Sequence, residues 1–153
     1  MEKHFTATVY IIENEKVLLL LHPKHRKWLP PGGHIEPNET PPECACREAF
    51  EETGLAIEII PQENLWVEDW NATSFCRPYL CLLENMPAHG THPAHQHMDL
   101  IYLAKPIGGY LLEGVKWFSL SEVKALKDDV DIFAETKNTI EHLLESNIFQ
   151  RSS

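Results

Sequence analysis

Residues 40–54 narrow the choice of fold more than any other stretch, because both ends of a helix are written into them. Thr40-Pro41-Pro42-Glu43 has the form of a capping box, with threonine as N-cap, proline in the first turn and glutamate three residues after the cap. Gly54 supplies the residue type that ends such a helix in a left-handed conformation. Between these ends, residues three and four apart share a side. Glu48, Glu51 and Glu52 therefore converge, while Ala45, Ala49 and Cys46 are expected to pack on the opposite side. Three like charges without a basic partner destabilise an isolated helix. A hard divalent cation such as Mg2+ offsets that repulsion, since it takes oxygen ligands and bridges to phosphate. Arg47 is placed to tether Glu39 through a bidentate pair, holding the preceding loop against the helix.

The flanks of this helix read mainly as strands. Residues 6–12 are rich in β-branched side chains, 14–16 form a tight turn, and 17–22 are a continuous apolar run typical of a strand covered on both faces. Residues 23–39 hold so many prolines and glycines that they read as loop. Further strands are expected at 55–60, 75–84 and 98–106, with a His- and Pro-rich connection over 85–96 and a short strand or turn at 114–120. Ser121 and Glu122 suit the start of a small helix. Residues 132–148 form an amphipathic terminal helix with Phe133, Ile140, Leu143 and Leu144 on its apolar side. No repeat, low-complexity tract or linker interrupts the pattern, so the expectation is one mixed α/β domain over residues 1–153.

Charge narrows the partners. Lys and Arg number 13 against 23 Asp and Glu, a formal net charge of −10. Stable nucleic-acid binding and attachment to anionic membranes are disfavoured, because phosphate backbones reward clustered Lys and Arg. An acidic chain that handles phosphates needs divalent cations between its carboxylates and its substrate. No apolar run approaches the roughly 20 residues of a membrane span. The opening "MEKHFTATVYII" has no small-residue cleavage site, so the expected location is cytoplasmic. Cys44, Cys46, Cys76 and Cys81 lack CxxC spacing and are expected to be free, buried thiols.

Gly33, Glu39 and the run Arg47-Glu48-Ala49-Phe50-Glu51-Glu52-Thr53-Gly54-Leu55 resemble the Nudix box, G-x5-E-x7-R-E-U-x-E-E-x-G-U, with every fixed position filled. Ala49 is small for its apolar place, and the doubled Pro30-Pro31 departs from a usual single proline. The resemblance extends to "VLLLLH…WLPPGGHIE" before the box and "GVKWFSLSEV" after it, and so covers most of the chain. It implies an α/β/α sandwich around a mixed sheet. It also implies hydrolysis of a nucleoside diphosphate linked to another group, by attack of water on phosphorus. Carried over residue by residue, Glu48 and Glu52 would be the principal Mg2+ ligands (Mn2+ able to substitute). Glu51 would assist directly or through water, and the Gly33 backbone would add a carbonyl or approach the substrate. Glu39 and Arg47 would support the loop.

"HGTHPAHQHMD" is the second unusual stretch, with His89, His92, His95, His97 and Asp99. It reads as a zinc site, as a polar loop with packed histidines, or as the source of a general base. For the last, the resemblance points downstream of the box, and a subgroup with "GGHIE" and a later H-x-H-x-D looks similar. On a strand His97 and Asp99 would share a face. The catalytic candidates are therefore Glu51, Glu52, His97 and Asp99. Substrate contacts are expected from His34 beside the glycine pair, from Arg26 in the basic cluster 24–27, and from Trp70. Trp66, Trp70 and Phe75 suit base stacking, core burial or a homodimer interface. The sequence markers of some ADP-ribose and dinucleoside polyphosphate hydrolases are missing past the box, so a small nucleotide-type substrate is the extent of the expectation. Rival readings are a hydrolase of a non-nucleotide diphosphate and a silent nucleotide-binding module, the latter disfavoured because all box glutamates are present.

Overall fold

The computed structural model of the chain describes residues 1–146. Its elements are β1 (Lys3–Glu13), β2 (Lys16–His22), β3 (Lys27–Leu29), β4 (Gly32–His34), α1 (Pro41–Thr53), β5 (Leu55–Ile59), β6 (Leu80–Met86), β7 (His95–Gly109), β8 (Val115–Ser119), α2 (Leu120–Lys124) and α3 (Ala134–Glu145). The strands form one mixed sheet of order β3-β2-β1-β7-β5, with β4 also on β1, β6 on β7 and β8 on β2. β1 and β7 run parallel over nine residue pairs from Lys3↔Gln96 to Ile11↔Ala104, and every other pairing is antiparallel.

Strand alternation divides the apolar side chains between two layers. Ala7, Val9 and Ile11 of β1 join Tyr102 and Ala104 of β7 and Leu18 of β2 against Cys44, Ala45 and Ala49 of α1. Tyr10, Ile12, Ile101, Leu103, Val17 and Leu19 point the other way, against Val123 of α2 and Ile140 and Leu143 of α3. The result is the expected α/β/α sandwich, and the apolar run in β2 is buried from Val17 to Leu20, whereas Leu21 is exposed.

The ends of α1 are as read. Thr40 Oγ1 accepts from the Glu43 N–H, the Glu43 carboxylate reaches back to the Thr40 N–H at 2.9 Å, and Gly54 closes the helix at φ 84°. Other boundaries differ. Residues 23–39 contain two short strands, since Lys27–Leu29 finds β2 and Gly32–His34 finds β1 despite the local Pro and Gly content. The second helix starts at Leu120 and not at Ser121, because Glu122 closes its capping box on Ser119. α3 starts at Ala134, where the Asp129 carboxylate takes the first-turn N–H at 3.0 Å. Residues 147 and 148 of the expected terminal helix lie outside the described residues. β6 begins at Leu80, after Pro78 has removed a ladder donor. β6 and β7 also extend into the expected His- and Pro-rich connection, so His95 and His97 stand on a strand. All four cysteines are free; Cys44 is buried, but Cys46 and Cys76 are only half-buried. Cys81 is exposed, contrary to expectation, because odd positions of β6 face a side of the sheet with no helix over them. No described helix is long and apolar enough to cross a membrane.

Candidate functional site

The glutamate side of α1 meets the sheet at β4. Antiparallel pairing sets Gly33 opposite Ala7 and Gly32 opposite Thr8. A Cβ on Gly33 would lie 2.6 Å from the Glu48 carboxyl carbon, and one on Gly32 would lie 2.6 Å from Thr8 Oγ1. Only glycine lets the helix carboxylates and the sheet backbone come this close. The Gly32 N–H donates to Glu52 Oε1 at 2.8 Å. Cys44, from the buried side of the helix, donates its thiol to the carbonyls of Gly33 at 3.7 Å and His34 at 3.5 Å. Burial pushes that thiol up to about 12, so it is a structural donor and not a nucleophile.

Arg47 is the basic partner that the helix was expected to lack. Its Nε and Nη2 form the expected bidentate pair with Glu39 at 3.0 and 2.8 Å. Nη1 turns back to Glu48 at 2.9 Å and Glu51 at 3.2 Å, and Nη2 also reaches the His34 carbonyl at 3.3 Å. One guanidinium thus ties the loop, β4 and two helical carboxylates together. The Arg47 hydrogen bonds hold Glu39 down at about 2. Glu52 stands apart: it bonds to Glu48 and to the Gly32 amide, with no basic side chain on it among the described residues. Burial, with the neighbouring carboxylates, pushes Glu52 up to about 7, and burial likewise raises Glu48. Two desolvated carboxyls against a glycine backbone, one of them without a cation, are a donor set suited to a hard divalent ion.

His97 and Asp99 do share a face, but it is the face of the sheet opposite α1. Asp99 is 4% exposed, and its oxygens accept from Thr6 Oγ1 and Thr8 Oγ1, each at 2.9 Å. Glu84 on β6 hydrogen-bonds to it, and burial followed by the Asp99 charge raises Glu84 well above the usual carboxylate range. Burial also raises Glu135 of α3. Thr8, bonded to Asp99 and packed where a side chain on residue 32 would lie, puts this polar row next to the residue that holds Glu52. Thr6, Thr8, Glu84 and Glu135 were missed in the sequence. Their only signal is polarity at inward positions of strands and α3, which needs the register to be known.

The histidines of the downstream stretch separate. His89 and His92 pair with each other at the β6–β7 turn. His97 instead meets His34 and His4, the last a residue that sequence reasoning passed over. Burial, helped by His34 and His95, holds His97 down at about 4, and burial also lowers His34. Arg26 is exposed on the β2–β3 turn at φ 55°, and Trp70 is 93% exposed. Neither makes a side-chain hydrogen bond or ion pair with the carboxylate cluster among the described residues. Trp66 and Phe75 are also largely exposed, which removes core burial from their readings.

Residues 2–137 match the family model described as NUDIX domain. The fold is similar to that of a NUDIX-family hydrolase from Clostridium perfringens, with 28% identity, 95% of this chain and 98% of that one covered, and a TM-score of 0.73. Among curated relatives, a probable DHNTP pyrophosphohydrolase of Lactococcus lactis is 37% identical over 100 residues, covering 64% of this chain and 51% of the relative. Phosphatase NudJ of Escherichia coli K12 is 32% identical over 101 residues, covering 63% of this chain and 64% of NudJ. The chain therefore spans about half of the first relative's length and just under two thirds of the second's. With the box geometry and the family match over residues 2–137 in agreement, the chain belongs to the NUDIX domain family.

Proposed function

We propose that the protein is a divalent-metal-dependent pyrophosphohydrolase acting on a small nucleotide-type diphosphate, with water attacking phosphorus. The observation that carries the reading is Glu52: half-buried, held on the Gly32 amide beside Glu48, and without a cation of its own. Glu48 and Glu52, with Glu51 at the exposed edge and the backbone of Gly33, are the residues that would hold Mg2+ or Mn2+. A bound ion of this kind would neutralise phosphate charge and make an attacking water more acidic. Arg47 and Glu39 fix the distance between the glycine strand and the helix. Asp99 has its oxygens engaged by two hydroxyls and lies on the far face of the sheet. Taking the proton from water therefore falls, in this reading, to Glu51 or Glu52 in place of His97 and Asp99. Arg26 and Trp70 are the exposed loop groups proposed for distal phosphates and a base. A curated relative named as a pyrophosphohydrolase and one named as a phosphatase support the reaction class.

The test is hydrolysis of a broad panel of nucleoside diphosphate derivatives and non-nucleotide diphosphates with Mg2+ or Mn2+, identifying products by mass. The expected result is cleavage within the anhydride of nucleotide substrates. Cleavage of only non-nucleotide diphosphates would move the substrate class, and metal-dependent binding with no cleavage would establish a silent module instead.

A further inference from the structure

We propose that His4, His34 and His97 form a site for a divalent transition metal, Zn2+ before others, separate from the box carboxylates. The three come from three strands. His97 is the register partner of His4 across the parallel β1–β7 pair, and His34 on β4 is opposite Thr6, two residues along the same face of β1. One ring nitrogen from each lies within 4.8 Å of the others. His4 Nδ1 is 3.3 Å from His34 Nε2, and His95 Nε2 is 3.2 Å from His97 Nε2. Tetrahedral Zn2+ with bonds of about 2.0–2.1 Å needs ligand nitrogens roughly 3.3–3.4 Å apart, so these pairs are already near that spacing. His95, with its ring 5.0 Å from that of His97 and 4.6 Å from that of His4, is placed to serve the fourth position.

The supporting contacts are those of a metal site. Glu2 Oε1 binds His4 Nε2 at 2.9 Å, which turns Nδ1 inward, and the Pro93 carbonyl meets His95 Nδ1 at 3.1 Å, which turns Nε2 toward His97. Outer carboxylate and carbonyl partners of this kind fix ring orientation in histidine sites. Imidazole nitrogen suits Zn, Cu, Fe and Ni, whereas Mg2+ takes oxygen. The site shares no ligand with Glu48, Glu51 and Glu52, and its existence does not depend on the hydrolase reading. It assigns His34 and His97 to a metal in place of direct contact with substrate or water. It also differs from a zinc site confined to the downstream stretch, because two of its three clustered rings, His4 and His34, come from β1 and β4.

The experiment is Zn2+ titration of the chelator-stripped full-length chain, read by competition with a chromophoric chelator. One tight Zn2+ per chain is expected, retained in Glu52→Gln and in His92→Ala, and lost in His4→Ala, His34→Ala and His97→Ala. Glu2→Gln should weaken binding roughly 10- to 100-fold, the usual effect of removing an outer-shell partner. Nitrogen-15 histidine spectra of the unmutated protein guard against variants that fail to fold: Zn2+ should shift the rings of His4, His34 and His97 and leave those of His89 and His92 in place. Absence of tight binding, uptake unchanged in the three histidine variants, loss of uptake in Glu52→Gln, or shifts confined to His89 and His92 would each overturn the proposal.

Discussion

Arg47 joins several partners through one planar cation: two prongs on Glu39, one of them also on the His34 carbonyl, and a third nitrogen shared by Glu48 and Glu51. A lysine keeps the charge but cannot span these positions. Arg47→Lys should therefore lower the melting temperature together with kcat. Losing charge-assisted bonds is worth about 1.5 kcal/mol here, the low end because Arg47 is partly exposed, or roughly 3–6 °C in a chain of this length. Thermal unfolding and steady-state kinetics on the same preparation check this, and lost turnover at unchanged stability would place Arg47 on the substrate. Gly33 makes the complementary case. Gly33→Ala brings a methyl group to within 2.6 Å of the Glu48 carboxyl, whose flexible end must move. The expected outcome is a folded protein whose kcat is down on the order of 10²-fold, the scale of a misplacement of about an ångström. Circular dichroism with kinetics reads both halves of that statement.

Among the elements, β6, β7 and α3 enclose a polar layer whose behaviour follows from burial. Glu84 is raised by desolvation and then by Asp99, so the folded state holds its proton above pH 4.5, where the unfolded chain has released it. Folding then takes up a proton, and stability falls as pH rises from about 4.5 through the raised folded-state value. Glu84→Gln removes this dependence. Its melting temperature should gain on the wild type between pH 5 and pH 8, and a constant difference across that range would contradict the assignment. Of this layer only Asp99 was singled out from the sequence; its partners Thr6, Thr8, Glu84 and Glu135 were not, for a physical reason. β-Branched side chains identified β1 as a strand, but which polar residues of β6 and β7 face Thr6 and Thr8 depends on register between distant segments. α1, by contrast, carries its own boundaries in Thr40, Glu43 and Gly54, and Arg47 was expected to take Glu39 because a guanidinium suits a bidentate carboxylate partner. Short strands such as β3 and β4 escape local reading because their pairing partners, not their composition, make them strands. His4 escaped for the same reason, since it acquires meaning only when β4 and β7 bring His34 and His97 beside it.

At the scale of the whole molecule, the sheet keeps two kinds of chemistry on opposite faces and lets them meet at β4. Glu48, Glu51 and Glu52 arrive from α1, the histidines and Asp99 come from β1, β4 and β7, and Gly32 and Gly33 are the thin wall between them. On this account a metal held by the box glutamates is the centre of the reaction. The most direct test is kcat of Glu52→Gln with the best substrate, in Mg2+ and in excess EDTA. The glutamine oxygen can still accept the Gly32 N–H, so the fold should survive. Turnover should fall by at least about 10³-fold, the scale of losing a major electrostatic element, and the wild type should be inactive in EDTA. Near-wild-type turnover in Glu52→Gln, or undiminished wild-type turnover in EDTA, would contradict the account.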